Sequence, residues 1–493
     1  MSNNVAKKCL AVGLVLAFLP LVYGDQPQPN VLFIMVDDLR PELGCYASPY
    51  VQSPNIDALA ERGLVFDRAY CQQAHCRPSR YSLLSGLRPD SAGIWTNKDV
   101  RPALADTPLL PGYFKEHGYY CVGIGKIAHN GEEVASCWSE PHSMPANYRF
   151  EYRTRAGRKL VEQLQRQARA EGIADPFDGI PNNIRRGMPY ERLNVADNEL
   201  ADGQIADKAI DVLKTMPRRP FFLGLGFLRP HLPFVAPQKY WDHYNPDQLP
   251  SIDSTASHDG IPQLSAHNSR ELRRQYQGVP AEGNFPDALN GNLWHGYLAS
   301  VSYVDAQIGR VLDALHQLGL AENTIVVIAG DHGFSLGEIG LWGKSTNFDS
   351  ATRTTLVIYS PRMKAGGKTT DSLVELVGLY PTLCDLTHIP QPHHLEGKSF
   401  ARLLDDPTLE ISNCAISQYP RGENMGRSIR TDRYRLVEWR RRSSGELVGR
   451  ELYDHDNDPS ETTNLQDSVE LQGTIRALSD KLQEVTPHLR VGN

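Results

Sequence analysis

Val31-Leu32-Phe33-Ile34-Met35-Val36 runs straight into Asp37-Asp38, and Thr324-Ile325-Val326-Val327-Ile328-Ala329 runs through Gly330 into Asp331-His332-Gly333. Both runs are short, rich in β-branched residues and apolar without alternation. Strands read this way when both faces of their sheet are covered. Phe221-Phe222-Leu223-Gly224-Leu225-Gly226-Phe227 and Leu356-Val357-Ile358-Tyr359 have the same character. Helical patterns lie between them. Ser53-Pro54, then Ile56, Leu59 and Ala60, with a stop at Gly63, offers an N-cap, a proline at the first helical position and a terminator. Residues 305–318 set Ile308, Val311, Leu312 and Leu315 on one face, ahead of Gly319. Strands alternating with helices predict an α/β fold, a large mostly parallel or mixed sheet sandwiched by helices.

Outward from these runs the chain is less regular. Residues 130–300 are loop-rich, with a polar helix near 160–170. After about Gly422 the pattern changes. Ser428-Ile429-Arg430-Thr431 and Tyr434-Arg435-Leu436-Val437-Glu438-Trp439 alternate like exposed antiparallel strands, and a last helix follows. This predicts a main domain at 25–422 and a smaller C-terminal α+β subdomain at 423–493. At the other end, Lys7 and Lys8 precede an apolar run at 9–22, closed by Gly24. That is the pattern of an export signal peptide over 1–24. The run is shorter than the about 20 residues needed to span a bilayer, so no transmembrane segment is expected once it is removed.

Composition is that of a soluble globular protein, with 40% hydrophobic and 22% charged residues among 493. A net charge of -7 argues against a general nucleic-acid binder. Of eight cysteines, Cys9 falls in the signal. The odd number left in an exported chain means that at least one makes no internal bridge.

Two strand ends carrying acids on one sheet edge converge where ligands bind in open α/β sheets. Clustered carboxylates repel unless a cation sits among them, and oxygen ligands favour Ca²⁺ or Mg²⁺ over zinc. A third stretch sharpens this. Cys76-Arg77-Pro78-Ser79-Arg80-Tyr81-Ser82-Leu83-Leu84-Ser85-Gly86 fits the signature Cys-x-Pro-Ser-Arg followed by Leu-Leu-(Thr or Ser)-Gly. On this stretch the chain resembles the formylglycine sulfatases of the alkaline phosphatase superfamily. The resemblance is closest to the iduronate-2-sulfatase branch and spans nearly the whole mature chain. It is carried by residues 30–41, Ser53-Pro54-Asn55-Ile56-Asp57, Gln72-Gln73-Ala74, Gly125-Lys126 with His129, and Arg229-Pro230-His231-Leu232-Pro233-Phe234. Asp331-His332-Gly333, Lys344, Asn347-Phe348-Asp349, Ser417-Gln418-Tyr419-Pro420-Arg421 and Ser428-Ile429-Arg430-Thr431 continue it.

The resemblance implies a set of roles. Cys76 is oxidised to formylglycine by a maturation enzyme, which also accounts for the odd cysteine. Its hydrate attacks sulfur, and the second hydroxyl then expels sulfate, so one hard step becomes two. Asp37, Asp38, Asp331 and His332 hold one Ca²⁺ that polarises the ester. Cys76 lies just ahead of a predicted helix at 78–84, whose N–H groups favour an anion. Arg80 steadies the formylglycine, and Lys126 and Lys344 grip the sulfate oxygens. His231 is the general acid for the leaving alcohol, and His129 is the partner of the formylglycine hydroxyl. Arg40 is a candidate for pairing with a uronate carboxylate, or for a salt bridge that anchors the backbone. Phe334, Ile339 and Leu341 depart from the iduronate branch. The expected activity is hydrolysis of an O-sulfate ester on a sulfated carbohydrate containing uronate. The alternatives are a phosphate or phosphonate monoester hydrolase on the same scaffold, or a silent sulfated-glycan binder.

Overall fold

The computed structural model describes residues 28–98, 107–129, 131–145, 152–170, 172, 187–250, 260–267 and 269–486. The expected signal peptide lies outside them. Strand β1 (Asn30–Val36) is buried along its length. Side chains alternate across a strand, so its two sets must meet different partners. Val31, Phe33 and Met35 pack with Tyr81, Leu83, Phe114 and Leu379 on one side. Leu32, Ile34 and Val36 pack with Ile56, Ile205, Tyr297, Val301 and Ile308 on the other. The sheet is therefore the middle of three layers. Helices α2 (Cys76–Ser85) and α5 (Leu379–Thr387) cover the first face. Helices α1 (Pro54–Ala60), α3 (Ala201–Thr215) and α4 (Asp287–Gln317) cover the second.

The other strands are β2 (Leu64–Phe66), β3 (Tyr120–Gly125), β4 (Phe221–Phe227), β5 (Thr324–Gly330), β6 (Leu356–Tyr359) and β7 (Lys368–Thr370). Their order is β7-β2-β6-β5-β1-β4-β3. Strands β5, β1, β4 and β3 are mutually parallel, whereas β6 is antiparallel to both neighbours. The sheet is mixed, with a parallel centre.

Helix α4 begins at Asp287, well before the expected 305. Leu293, Trp294, Tyr297, Leu298 and Val301 are all buried there, and a helix enclosed on most sides loses the one-sided stripe that marks it in sequence. The polar helix in the loop-rich stretch runs Arg155–Ala170. Ser53 takes the N-cap position of α1, but its side chain caps nothing; its Oγ accepts from the Gly44 N–H at 2.9 Å.

Strands β8 (Ala415–Arg421), β9 (Asn424–Arg430), β10 (Tyr434–Arg441) and β11 (Leu447–Asp454) form an antiparallel meander. Helix α6 (Gln472–Val485) lays Ile475, Leu478 and Leu482 against Ile416, Ile429, Leu436 and Leu452. This sheet takes in Ala415–Arg421, which the expected boundary at 422/423 would leave in the main domain. Nor is β10 exposed. Leu436 faces α6, while Trp439 turns the other way and donates from Nε1 to Ser265 Oγ at 3.1 Å. Both faces are covered, so the alternation read from sequence separates two interfaces.

Candidate active site

Four adjacent parallel strands end on one edge, and each delivers polar groups beyond its carboxyl end, where ligands bind in such sheets. β5 leads into Asp331 and His332, β1 into Asp37 and Asp38, β4 into the turn bearing His231, and β3 into Lys126 and His129. Cys76 is the first residue of α2, so its Sγ sits at the positive end of a ten-residue helix. The helix begins earlier than the expected 78. Its sharp end at Ser85 is allowed by Gly86, whose φ of 70° suits glycine.

Arg80 organises the acids. Fully buried, it donates from Nε to Asp331 Oδ2 at 2.9 Å and from Nη2 to Asp37 Oδ1 at 3.1 Å. Its Nη1 reaches the Lys126 and Ile127 carbonyls. Lys126 Nζ lies 2.5 Å from Asp37 Oδ2, and Lys344 Nζ lies 2.6 Å from Asp38 Oδ1. Lys344 Nζ and His332 Nε2 approach Cys76 Sγ at 3.3 and 3.4 Å. His332 Nδ1 sits 2.9 Å from the Gly333 carbonyl, which leaves Nε2 facing the acids. His231 Nδ1 is 2.6 Å from the Leu232 carbonyl, and its Nε2 is 3.8 Å from Glu271 Oε1.

The electrostatics follow from burial and neighbours. Burial pushes the Asp37 carboxyl up, but Lys126, His231, Arg80 and Lys344 outweigh it and hold it well below the usual range. Asp38 goes the other way: burial, with Asp37 and Asp331 beside it, raises it well above that range despite Lys344. Burial, then Lys126, depresses His129 to about 2, and burial, then Lys344, depresses His231. Burial also pushes the Cys76 thiol up.

One atom is left over. Asp38 Oδ2 is buried and hydrogen-bonds to nothing. Asp38 also holds φ at 63°, a left-handed conformation that costs a non-glycine residue free energy. Atoms of Asp37, Asp38, Cys76 and His231, and of Asp37, Cys76, Asp331 and His332, lie within 4.8 Å of one another, close enough to share a metal ion. A strained carboxylate with a bare buried oxygen in an oxygen-rich set fits a hard cation. Asp349, His455 and Glu461 form another such group. There Tyr70 and Arg430 already contact Asp349, and Arg435 pairs with Glu461.

A model of the sulfatase family matches residues 29–389. The chain belongs to the sulfatase family. Residues 337–488 match a second model, the C-terminal part of N-sulphoglucosamine sulphohydrolase. Human iduronate 2-sulfatase is 33% identical, over 92% of this chain and 96% of its own length. Among solved structures, a complex with D-glucosamine-2-N,6-O-disulfate superposes with a TM-score of 0.71 at 21% identity, covering 94% of this chain and 99% of the other. The phosphonate monoester hydrolase of Agrobacterium radiobacter gives 0.74 at 22%, covering 94% and 96%. The sulfatase is thus a sulfuric ester hydrolase on an alkaline-phosphatase-like fold.

Of the residues given a role in sequence, Arg40 alone stands apart from this cluster. Its Nη1 is 2.6 Å from Glu338 Oε1 and its Nη2 is 3.4 Å from Glu42 Oε2. It also donates to the Phe334 carbonyl and lines a separate cavity of ≈ 180 Å³ with Glu338, Asp349 and Arg353. Its charge is matched by Glu338 and Glu42, the geometry of the anchoring salt bridge that was one of its two expected roles. Conversely, Glu271, His267 and the side chain of Arg421 flank the sulfatase site without having been marked. Glu271 and His267 fall in the loop-rich stretch, which carries no periodic signal. Arg421 was legible only as part of a matched string.

Proposed function

We propose that the sulfatase hydrolyses an O-sulfate ester on a sugar of a uronate-containing glycan, using Cys76 converted to formylglycine and one Ca²⁺ held by Asp37, Asp38, Asp331 and His332. The observation that carries this is Cys76 itself. Its Sγ, standing for the oxygen of the modified side chain, meets two histidines, two lysines and three acids at a helix N-terminus. The substrate class rests on the likeness to iduronate 2-sulfatase, together with a structural neighbour that binds a sulfated glucosamine.

When bound, Ca²⁺ supplies Lewis-acid polarisation of the ester and favours the ionised nucleophile. The chain's own groups do the rest. Arg80 ties Asp37 to Asp331 and fixes the acids before substrate arrives. Lys126 and Lys344 present ammonium groups to the sulfate oxygens from two sides. His231 donates from Nδ1 to the Leu232 carbonyl, so Nε2 is the nitrogen that serves the leaving alcohol; it has a proton to give only in the doubly protonated ring, which the Glu271 carboxylate 3.8 Å from Nε2 favours. His129, kept neutral by burial and Lys126, can accept a proton from the residue-76 hydroxyl. Export by the N-terminal signal and oxidation by a maturation enzyme complete the proposal. Among the described residues no helix is long and apolar enough to cross a membrane.

The test is sulfate release from 2-sulfated uronate oligosaccharide, other sulfated glycans, an aryl sulfate and a phosphonate monoester. Cys76→Ala serves as the blank, and peptide mass spectrometry reads the state of position 76. Strongest release from 2-sulfated uronate is expected. No release from any sulfate ester, with formylglycine verified and Ca²⁺ present, overturns the sulfatase chemistry. Turnover of the phosphonate alone would favour the activity named for the Agrobacterium neighbour.

A further inference from the structure

Buried or half-buried cations are normally paired with acids, and those of this molecule mostly are. Arg80, Lys126, Lys344, Arg40 and Arg435 all meet carboxylates. Arg421 is different. At the end of β8, its Nε donates to the Leu264 carbonyl at 3.2 Å and its Nη2 to the Ser345 carbonyl. Its guanidinium lies 4.4 Å over the Tyr419 ring. Among the described residues no carboxylate lies within ion-pairing distance of it, and its other polar partner is the Tyr419 side chain.

The charged neighbours of Arg421 include another cation. Burial lowers its pKa, Tyr419 partly offsets this, and the nearby Arg270 lowers it further. His267, beside it, is pushed down to about 3 by burial and then by Arg421. On the other side, the Tyr419 ring lies 6.2 Å from the ring of His75, the residue before Cys76. Ser345, whose carbonyl anchors Arg421, follows Lys344. The guanidinium thus holds the residue next to a sulfate-gripping lysine and is linked through the Tyr419 and His75 rings to the segment that carries the nucleophile. Arg270 opens the short helix Arg270–Gln275, whose Glu271 reaches His231. This segment therefore runs along the rim from His231 toward Arg421.

We propose that Arg421, with Arg270 and His267 beside it, is a specificity subsite that binds a second anionic group on the sugar carrying the sulfate ester. This inference rests on the sulfatase reading for its substrate but not for the subsite itself. A guanidinium pinned by two carbonyls and Tyr419 is pre-organised, and the two of its five N–H groups that remain can grip a carboxylate or a sulfate. Binding there brings the positive field of the rim its missing counter-charge. Both anions have the chemistry required, so the sources are separated by experiment.

The test compares kcat/KM for a 2-sulfated uronate, the same sugar with its carboxylate reduced to an alcohol, and a disulfated sugar lacking carboxylate. Arg421→Gln should collapse the preference for a doubly anionic over a singly anionic substrate by about 10- to 100-fold, mainly through KM. Arg421→Lys, which keeps the charge but not the fork, should retain part of it. A wild-type preference for the uronate assigns the subsite to carboxylate, and a preference for the disulfated sugar assigns it to sulfate. Arg270→Ser, at an exposed position, gives a smaller loss in the same direction if Arg421 variants fold poorly. Calorimetric binding of the same sugars to the Cys76→Ala protein needs no turnover. Discrimination that depends on Arg421 in that titration supports the subsite even if no ester is cleaved. A preference unchanged in Arg421→Gln and Arg270→Ser, or none in the wild type, overturns it.

Discussion

Asp38 concentrates the chemistry of the site in one residue. Its left-handed backbone and bare Oδ2 persist only because Lys344, the Asp331 carboxylate and the Tyr297 hydroxyl over-determine its position. Asn tolerates the same backbone. Asp38→Asn should therefore fold, yet bind Ca²⁺ weaker by at least the about 10- to 100-fold typical of losing an outer-shell partner. Calcium titration of the purified variant reads this, and unchanged affinity would remove Asp38 from the ligand set. Arg80→Met tests the scaffold. Taking away one side of a buried ion network should cost about 3–5 kcal/mol, measured by urea unfolding in chelator. These residues were legible because acids directly after apolar runs, and a cysteine in a fixed string, are signals of sequence alone. Glu271 and His267 were not, since their value comes from a fold that turns a patternless loop back onto the sheet edge.

The central strands and the capped helices were readable because burial on both faces and terminator residues leave local marks. The start of α4 and the burial of β10 were hidden because tertiary packing, not local pattern, decides them. The C-terminal sheet is joined to the main domain through an ionic cluster. Glu461 accepts from the Asp349 N–H at 2.8 Å and pairs with Arg435, while His455 Nε2 lies 2.7 Å away. Burial raises the Glu461 carboxyl, but Arg435 and His455 outweigh it and leave it below its ordinary value. Its contribution is therefore present above the unfolded carboxylate pKa of about 4.3 and is lost as pH falls through the lower folded value. Thermal scans should show the midpoint dropping between about pH 5 and pH 3, and Glu461→Gln should flatten that drop while lowering the midpoint at pH 7. A variant with the wild-type slope would assign the acid sensitivity elsewhere.

For the whole molecule, a cation bound only by the folded state stabilises it by mass action. At a hundredfold excess over its dissociation constant this is worth about 2.7 kcal/mol. Scanning calorimetry with Ca²⁺ and then with chelator should show a midpoint shift of a few degrees that grows with calcium concentration. A midpoint indifferent to calcium would mean that no such site is built. The groups that meet at the sheet edge come from positions 37, 76, 126, 231, 331 and 344, and the strands that carry them pair across hundreds of intervening residues. Closing such distant pairs is slow, and none of the local turns or hairpins can form the centre in advance. A chain released before residue 344 therefore holds only part of the constellation, however well its early helices form. Calcium capture during refolding should lag every spectroscopic sign of secondary structure, which makes the ion a reporter of completed assembly.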